Sequence, residues 1–214
     1  MKKGILFDLD GTLWDSSAEV TEAWNQAILQ QGRTEQFTVA DMHNFMGRTL
    51  EAIAAMMFPA EPQEEQIRLI LACKENEYRY LRTHRAQFYS REEEILRALA
   101  QEYTLGIVSN CQDGYIDIFL DQCGFPHLFS DHECAGVTGL SKGQNIRLVM
   151  ERQGIDRCIY LGDTQGDADA AKEAGVPFIH AGYGFGRVDA ADAVIGDISE
   201  LPAAAALLLN GGRP

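Results

Sequence analysis

Four short apolar runs punctuate the chain: Gly4 to Phe7, Thr104 to Val108, Cys158 to Leu161 and Val176 to Ile179. Runs of this length without polar alternation predict strands buried on both faces, as in a parallel sheet covered by helices. Each of the first three ends in a polar cluster, respectively Asp-Leu-Asp-Gly-Thr, Ser-Asn and Gly-Asp-Thr. In open parallel sheets, ligands bind at that carboxyl edge. Helical patterns separate the runs, so an α/β fold is expected.

Between the first run and the second, the stretch from Asp15 to Gln87 reads as helix with no strand. Ser16 with Glu19 predicts a capping box, and Val20, Trp24, Ala27 and Ile28 follow at helical spacing before Gly32. Thr38 and Asp41 open a second helical stretch, which Gly47 interrupts and Pro59 ends. Pro62 starts a third, carrying Ile67, Ile70, Leu71, Tyr78 and Leu81. Ser90 and Glu93 are expected to cap the helix that returns to the sheet, and Pro202 to start a terminal one. Inserted directly after the first polar cluster, the block reads as a helical cap over the strand ends. Residues 15–87 would form it, hinged near Asp15 and Gln87, with residues 1–14 and 88–214 as the core. Trp24, Phe45, Met56 and Tyr78 are assigned to the cap's own core rather than to substrate.

The 214 residues, 46% of them hydrophobic, suit one α/β domain carrying a smaller insertion. A formal charge of -14 argues against nucleic-acid partners and anionic membrane surfaces. The same field repels a free anionic substrate, so a site for one needs local cations, from a metal or a lysine. Five cysteines with no C-x-x-C spacing and no secretory leader lead us to expect reduced thiols in the cytoplasm. The apolar stretch Ala203 to Leu209 is too short to span a bilayer. Gly182-Tyr-Gly-Phe-Gly186 lacks the spacing of a dinucleotide fingerprint, so no nicotinamide or flavin is expected. Oligomeric state is not written in these patterns.

Asp8 and Asp10 place two carboxylates where a buried strand runs out. Asp8 can direct one oxygen at a phosphorus while a metal holds the other. Asp10, past the strand end, can approach the leaving oxygen as general acid and then serve as base for water, and Gly11 permits the tight turn. Ser109 and Asn110 precede a helical pattern, so hydroxyl, amide and helix N-terminus can converge on phosphate. Lys142 stands just before the helix carrying Ile146, Val149 and Met150. Asp163 and Asp167, four apart after a strand, suit Mg²⁺, which takes a few carboxylates and several waters. Each feature alone is commonplace: a turn, an N-cap, a surface lysine, an acidic first turn.

Together, in order, Asp8-x-Asp10-Gly-Thr, Ser109-Asn110, Lys142 and Gly-Asp163-Thr-x-x-Asp167 resemble the four motifs of haloacid dehalogenase superfamily phosphatases. The resemblance covers essentially the whole chain and is nearest to the phosphoglycolate phosphatase group. It implies a Rossmann-like, doubly wound parallel sheet with the cap inserted after the first motif. It also implies hydrolysis of a small phosphorylated metabolite through a phosphoaspartate on Asp8. Mg²⁺ would be bound by Asp8, the Asp10 carbonyl and Asp163, with Asp167 beside the metal or paired with Lys142. Ser109 and Lys142 would hold the phosphoryl group, with Gly11, Thr12 and Asn110 lining the substrate site. Gly143 stands where many relatives have proline, and Cys111 where another small residue is common. Asp10 separates the chain from dehalogenases and phosphonate-cleaving relatives, which lack that acid; Lys74 is the cap's single lysine. Phosphosugar mutases carry a histidine where Val20 stands. A catalytically silent binding protein of the same fold is the alternative from another class, and the intact acids speak against it. For the leaving group, Arg48 is favoured over His43 and Asn44, because a guanidinium can hold a carboxylate by two bonds.

Overall fold

The first apolar run forms the central strand β1 (Lys3–Phe7), with Ile5, Leu6 and Phe7 fully buried in this computed structural model, which describes residues 1–211. After the short strands β2 (Trp14–Asp15) and β3 (Gln87–Phe88) come β4 (Thr104–Ser109), β5 (Phe129–Cys134), β6 (Arg157–Gly162), β7 (Phe178–Ala181) and β8 (Ala193–Ile195). Six of them make one sheet in the order β5-β4-β1-β6-β7-β8, and every pairing in it is parallel. The chain winds outward from β1 through β4 to β5, then returns to β6 on the other side. That reversal beside β1 opens a crevice at the carboxyl ends of β1, β4 and β6. The fold is therefore the expected α/β, Rossmann-like sheet.

Both faces are covered. One apolar layer joins Leu6, Val108 and Tyr160 to Ile146 and Val149 of α8 (Lys142–Gln153) and to Ala170 and Ala171 of α9 (Gln165–Ala174). The other carries Ile5, Phe7 and Ile107 against Leu96 of α5 (Glu92–Leu99), Phe119 of α6 (Tyr115–Cys123) and Leu201 of α10 (Leu201–Asn210). The one-turn helix α7 (Ala135–Thr138) follows β5.

Four helices fill the insertion: α1 (Ser17–Gln30), α2 (Val39–Phe45), α3 (Leu50–Met57) and α4 (Gln63–Leu81). Of the expected helix starts, the one at Thr38 and Asp41 forms, and the two residues make a reciprocal capping box there. Two expected caps do not form. Ser16 precedes α1 but makes no cap bond, because its hydroxyl turns to Asp10 and Tyr115; Asp15 accepts from Ser17 N instead, at 3.0 Å. The helix after Ser90 starts one residue later than that serine could cap, behind Arg91 in a left-handed conformation (φ 61) with no side-chain cap. Trp24 and Phe45 are buried, whereas Met56 is 43% exposed and does not belong to the cap core.

Strands do occur at the ends of the insertion. β2 and β3 pair antiparallel, Trp14 with Phe88 and Asp15 with Gln87, so the two chain crossings form one small ribbon. The last apolar run pairs two residues later than Val176, since Pro177 has no N–H and lends only its carbonyl, to Tyr160 N at 3.0 Å. Among the described residues, no helix is long and apolar enough to cross a membrane.

Candidate active site

The polar clusters meet in the crevice. Asp8, the first residue past β1, is tied back to the sheet by its N–H to the Leu161 carbonyl at 2.8 Å. Lys142 opens α8, where Ser141 and Gln144 form a capping box, and its buried ammonium donates to Asp8 Oδ1 at 2.9 Å and Asp167 Oδ1 at 2.6 Å. Gly143 beside it is dictated by packing: a Cβ there would lie 2.5 Å from the Glu173 carboxylate. Asp167 is the reciprocal member of the capping box of α9, accepting from Thr164 N at 2.9 Å and Thr164 Oγ1 at 2.7 Å.

Asp8, Asp163 and Asp167 offer carboxylate oxygens that all lie within 4.8 Å of one another, all three residues buried. Asp163 is held by Oδ2, which accepts from Phe185 N at 2.7 Å and Gly186 N at 3.3 Å. Its Oδ1 is buried without a hydrogen-bond partner among the described residues. An orphaned carboxylate oxygen is costly unless something positive satisfies it. Three buried carboxylates against one ammonium leave an excess of negative charge, so the residues present fit a hard divalent cation with oxygen ligands. The Asp10 carboxylate stands outside this trio.

Burial and the charge of Asp167 push the Asp8 carboxyl up to about 7, against the pull of Lys142. Asp163 is raised well above the usual carboxylate range, by burial first and then by Asp167 and Asp8. Burial works to neutralise Lys142, but Asp167 and Asp8 outweigh it and hold the ammonium charged beyond the ordinary lysine range. Asp10 is raised by burial, which its hydrogen bonds to Ser16, Tyr115 and Trp14 only partly offset. Asp8, Asp10 and Asp163 are thus raised chiefly by burial, and positive charge brought beside them would lower them again.

Ser109 ends β4, buried, and its Oγ accepts from Cys111 N at 3.3 Å. Asn110 reaches across to the insertion, its amide donating to the Gly47 carbonyl at 2.9 Å. Gly11 adopts φ 78, and a Cβ on it would sit 2.4 Å from Asp163 Oδ2. Thr12 Oγ1 is buried without a partner among the described residues, while its carbonyl accepts from Tyr183 OH at 2.9 Å. Arg48 lines a cavity of about 70 Å³ together with Asp10, Ser109, Asn110, Glu77 and Lys74, although its Nε donates to the Asn44 carbonyl at 3.0 Å. His43 stacks on Phe185 with centroids 4.3 Å apart and touches Ser17 Oγ, and Asn44 bonds the Ala40 carbonyl of its own helix. Cys111 is partly exposed, its thiol pushed up by burial.

Several participants were not visible in the motifs. The glycine-rich loop around Phe185 supplies the amides that orient Asp163. Close approach is its signal, because a Cβ on Gly184 would fall 2.4 Å from both Asp163 Cβ and the Gly11 carbonyl. Glu77, on α4, presents a buried carboxyl to the cavity, held by Trp24 Nε1. Trp14, Ser16 and Tyr115 converge on Asp10.

A parallel sheet with an acid pair at its central strand and an acid trio in its crevice is an arrangement this chain shares with a known family. The sequence profile of the haloacid dehalogenase-like hydrolases matches residues 5–181, so the chain belongs to that family and is an enzyme of its hydrolase class. A phosphoglycolate phosphatase of Xanthomonas campestris pv. campestris is 28% identical over 196 residues, covering 86% of this chain and 84% of the relative. One from Agrobacterium fabrum is 27% identical over 208 residues, covering 92% and 89%. The structure of a haloacid dehalogenase-like hydrolase from Streptococcus pneumoniae superimposes with a TM-score of 0.82 at 21% identity, covering 95% of this chain and 98% of that one.

Proposed function

We propose that this chain is a Mg²⁺-dependent phosphatase that hydrolyses a small phosphomonoester through a phosphoaspartate on Asp8. The observation that carries the reading is the buried trio with the unpartnered Asp163 oxygen, next to an acid pair at the end of β1. Relatives named phosphoglycolate phosphatase along most of both chains favour a phosphoryl substrate over a carbon electrophile. Asp8, Asp163 and the Asp10 carbonyl would hold Mg²⁺, which when bound supplies the positive charge that lets Asp8 ionise and a phosphate dianion enter.

Lys142 orients Asp8 and, with Ser109, holds the phosphoryl oxygens; Asp167 keeps the lysine charged and aimed. The Asp8 carboxylate attacks phosphorus as the bond to the leaving oxygen breaks, and Asp10 donates the proton that oxygen needs. Asp10, now ionised, then takes a proton from water as the water oxygen bonds phosphorus and the Asp8–phosphorus bond breaks. Residues 15–87 act as a cap over this chemistry, turning on the ribbon of β2 and β3. The cavity it shares with the core receives the leaving group, with Arg48 as the residue that meets an anionic one.

Replacing Asp8 with Asn, an amide that cannot attack phosphorus, tests the reading directly. Turnover of an aryl phosphate with Mg²⁺ should vanish while the circular dichroism spectrum stays that of the wild type. Activity persisting in Asp8→Asn, free of wild-type protein, would end the covalent mechanism.

A further inference from the structure

The Asp10 carboxyl is held by one oxygen. Trp14 Nε1 donates to Asp10 Oδ1 at 2.8 Å, and the hydroxyls of Ser16 and Tyr115 lie 2.8 Å and 2.9 Å from the same atom. All three partners are buried and arrive from separate places: Trp14 from β2, Ser16 from the turn before α1, and Tyr115 from the first position of α6. The two hydroxyls lie 2.9 Å apart, and with each giving its single hydrogen to Oδ1 they sit side by side on that oxygen. None of these bonds reaches Oδ2, and Asp10 borders the leaving-group cavity.

We propose that Tyr115, acting with Trp14 and Ser16, is a positioning residue for the proton transfer: by occupying Oδ1 it makes Oδ2 the one oxygen of Asp10 that carries the proton to and from the leaving group. The inference rests on Asp10 being the general acid. An indole N–H can only donate, and with the Ser16 and Tyr115 hydroxyls donating beside it the lone pairs of Oδ1 are taken up, leaving the unbonded Oδ2 for a proton. A proton on the carboxyl therefore resides on Oδ2. It passes to the leaving oxygen as the phosphorus–oxygen bond breaks and the Asp8–phosphorus bond forms. In the second half, Oδ2 takes a proton from water as the water oxygen bonds phosphorus and Asp8 is released.

Positioning of this kind matters because a misplacement of about 1 Å can cost roughly 10²-fold in rate. Losing one of three holding bonds should cost less, on the order of tenfold, and only where the leaving group needs the proton. Tyr115→Phe is a clean perturbation. Its ring keeps its edge-on contact with Trp14, whose centroid lies 5.6 Å away at 68°.

The test is kcat/KM, which reports transfer to Asp8 and not the later hydrolysis, with Mg²⁺ across aryl phosphates from phenyl to dinitrophenyl, for wild type, Tyr115→Phe, Ser16→Ala, Asp10→Asn and the Asp10→Asn/Tyr115→Phe double variant. Tyr115→Phe should lose about tenfold on phenyl phosphate and less than about twofold on dinitrophenyl phosphate, and should cost nothing further once Asp10 is Asn. Ser16→Ala should move the same way, and it carries the test if Tyr115→Phe fails to fold. A uniform loss across the series, no loss at all, or losses that add in the double variant would each overturn the proposal. If Asp10→Asn itself shows no dependence on the leaving group, the general-acid reading falls and the proposal with it. That outcome is distinct from an Asp10 effect that persists without one at Tyr115.

Discussion

Glu77 projects from α4 with its carboxyl buried, held by Trp24 Nε1, with no other donor to it among the described residues. Burial is the largest influence and raises it from an ordinary 4.5 to about 8; Asp10 adds to the rise, while Trp24 and Lys74 oppose it. At neutral pH the folded protein therefore keeps a proton on Glu77 that the unfolded chain has released. Where the folded state binds the extra proton, stability falls as pH rises. The contribution is fully present below the unfolded pKa of about 4.5 and is lost progressively as pH climbs through about 8. At 1.36 kcal/mol per pH unit, the loss between about pH 5 and about pH 8 comes to roughly 3 kcal/mol. Glu77→Gln keeps the size and an oxygen for Trp24 but cannot ionise. Urea unfolding of both proteins over that range, with chelator present so that metal binding does not enter, should show the variant gaining about 3 kcal/mol on the wild type towards alkaline pH. Glu92 is also raised to about 8 by burial and tilts both curves, but it cancels in their difference. Parallel curves would show that Glu77 is ionised in the folded protein at neutral pH and that water reaches it.

Two further outcomes follow from the site. Gly184→Ala forces a Cβ to within 2.4 Å of Asp163 and the Gly11 carbonyl, so it should weaken Mg²⁺ binding by about tenfold or more and cost about 1–3 kcal/mol of stability. Calorimetric titration with Mg²⁺ reads the first effect, and unchanged affinity would mean Asp163 is not a ligand. Arg48→Ala should raise KM for a phosphomonoester whose leaving group carries a carboxylate by about tenfold while leaving KM for a small neutral aryl phosphate within about twofold. Equal shifts for both substrates would remove Arg48 from leaving-group recognition.

What was legible in the chain follows from how each element is stabilised. β1, β4 and β6 lie in the middle of the sheet, buried on both faces, and such strands write unbroken apolar runs. β5 and β8 are edge strands, with alternating exposure in Phe129–Cys134 and with Val194 64% exposed, so nothing apolar and continuous marked them. The two-residue strands of the ribbon are too short to leave any periodicity, and they exist because two distant segments meet. Ser16 and Ser90 carry the residues of helix caps but cap nothing, since a local pattern cannot know that a hydroxyl is claimed elsewhere.

The same division runs through the site. Sequence alone singled out Asp8, Asp10, Ser109, Lys142, Asp163 and Asp167 as candidates, because each ends or follows a strand or opens a helix and together, in order, they resemble one family's motifs. Only the tertiary structure decided their surroundings. It turned three acids into one buried trio, aimed two amides of a glycine-rich loop at Asp163, and brought Tyr115 onto an oxygen of Asp10 from 105 positions away. It also buried Glu77, which in an amphipathic helix reads as one more solvated acid. Proton affinity and orientation depend on desolvation and on partners distant in sequence, and those quantities come into being only when the elements pack.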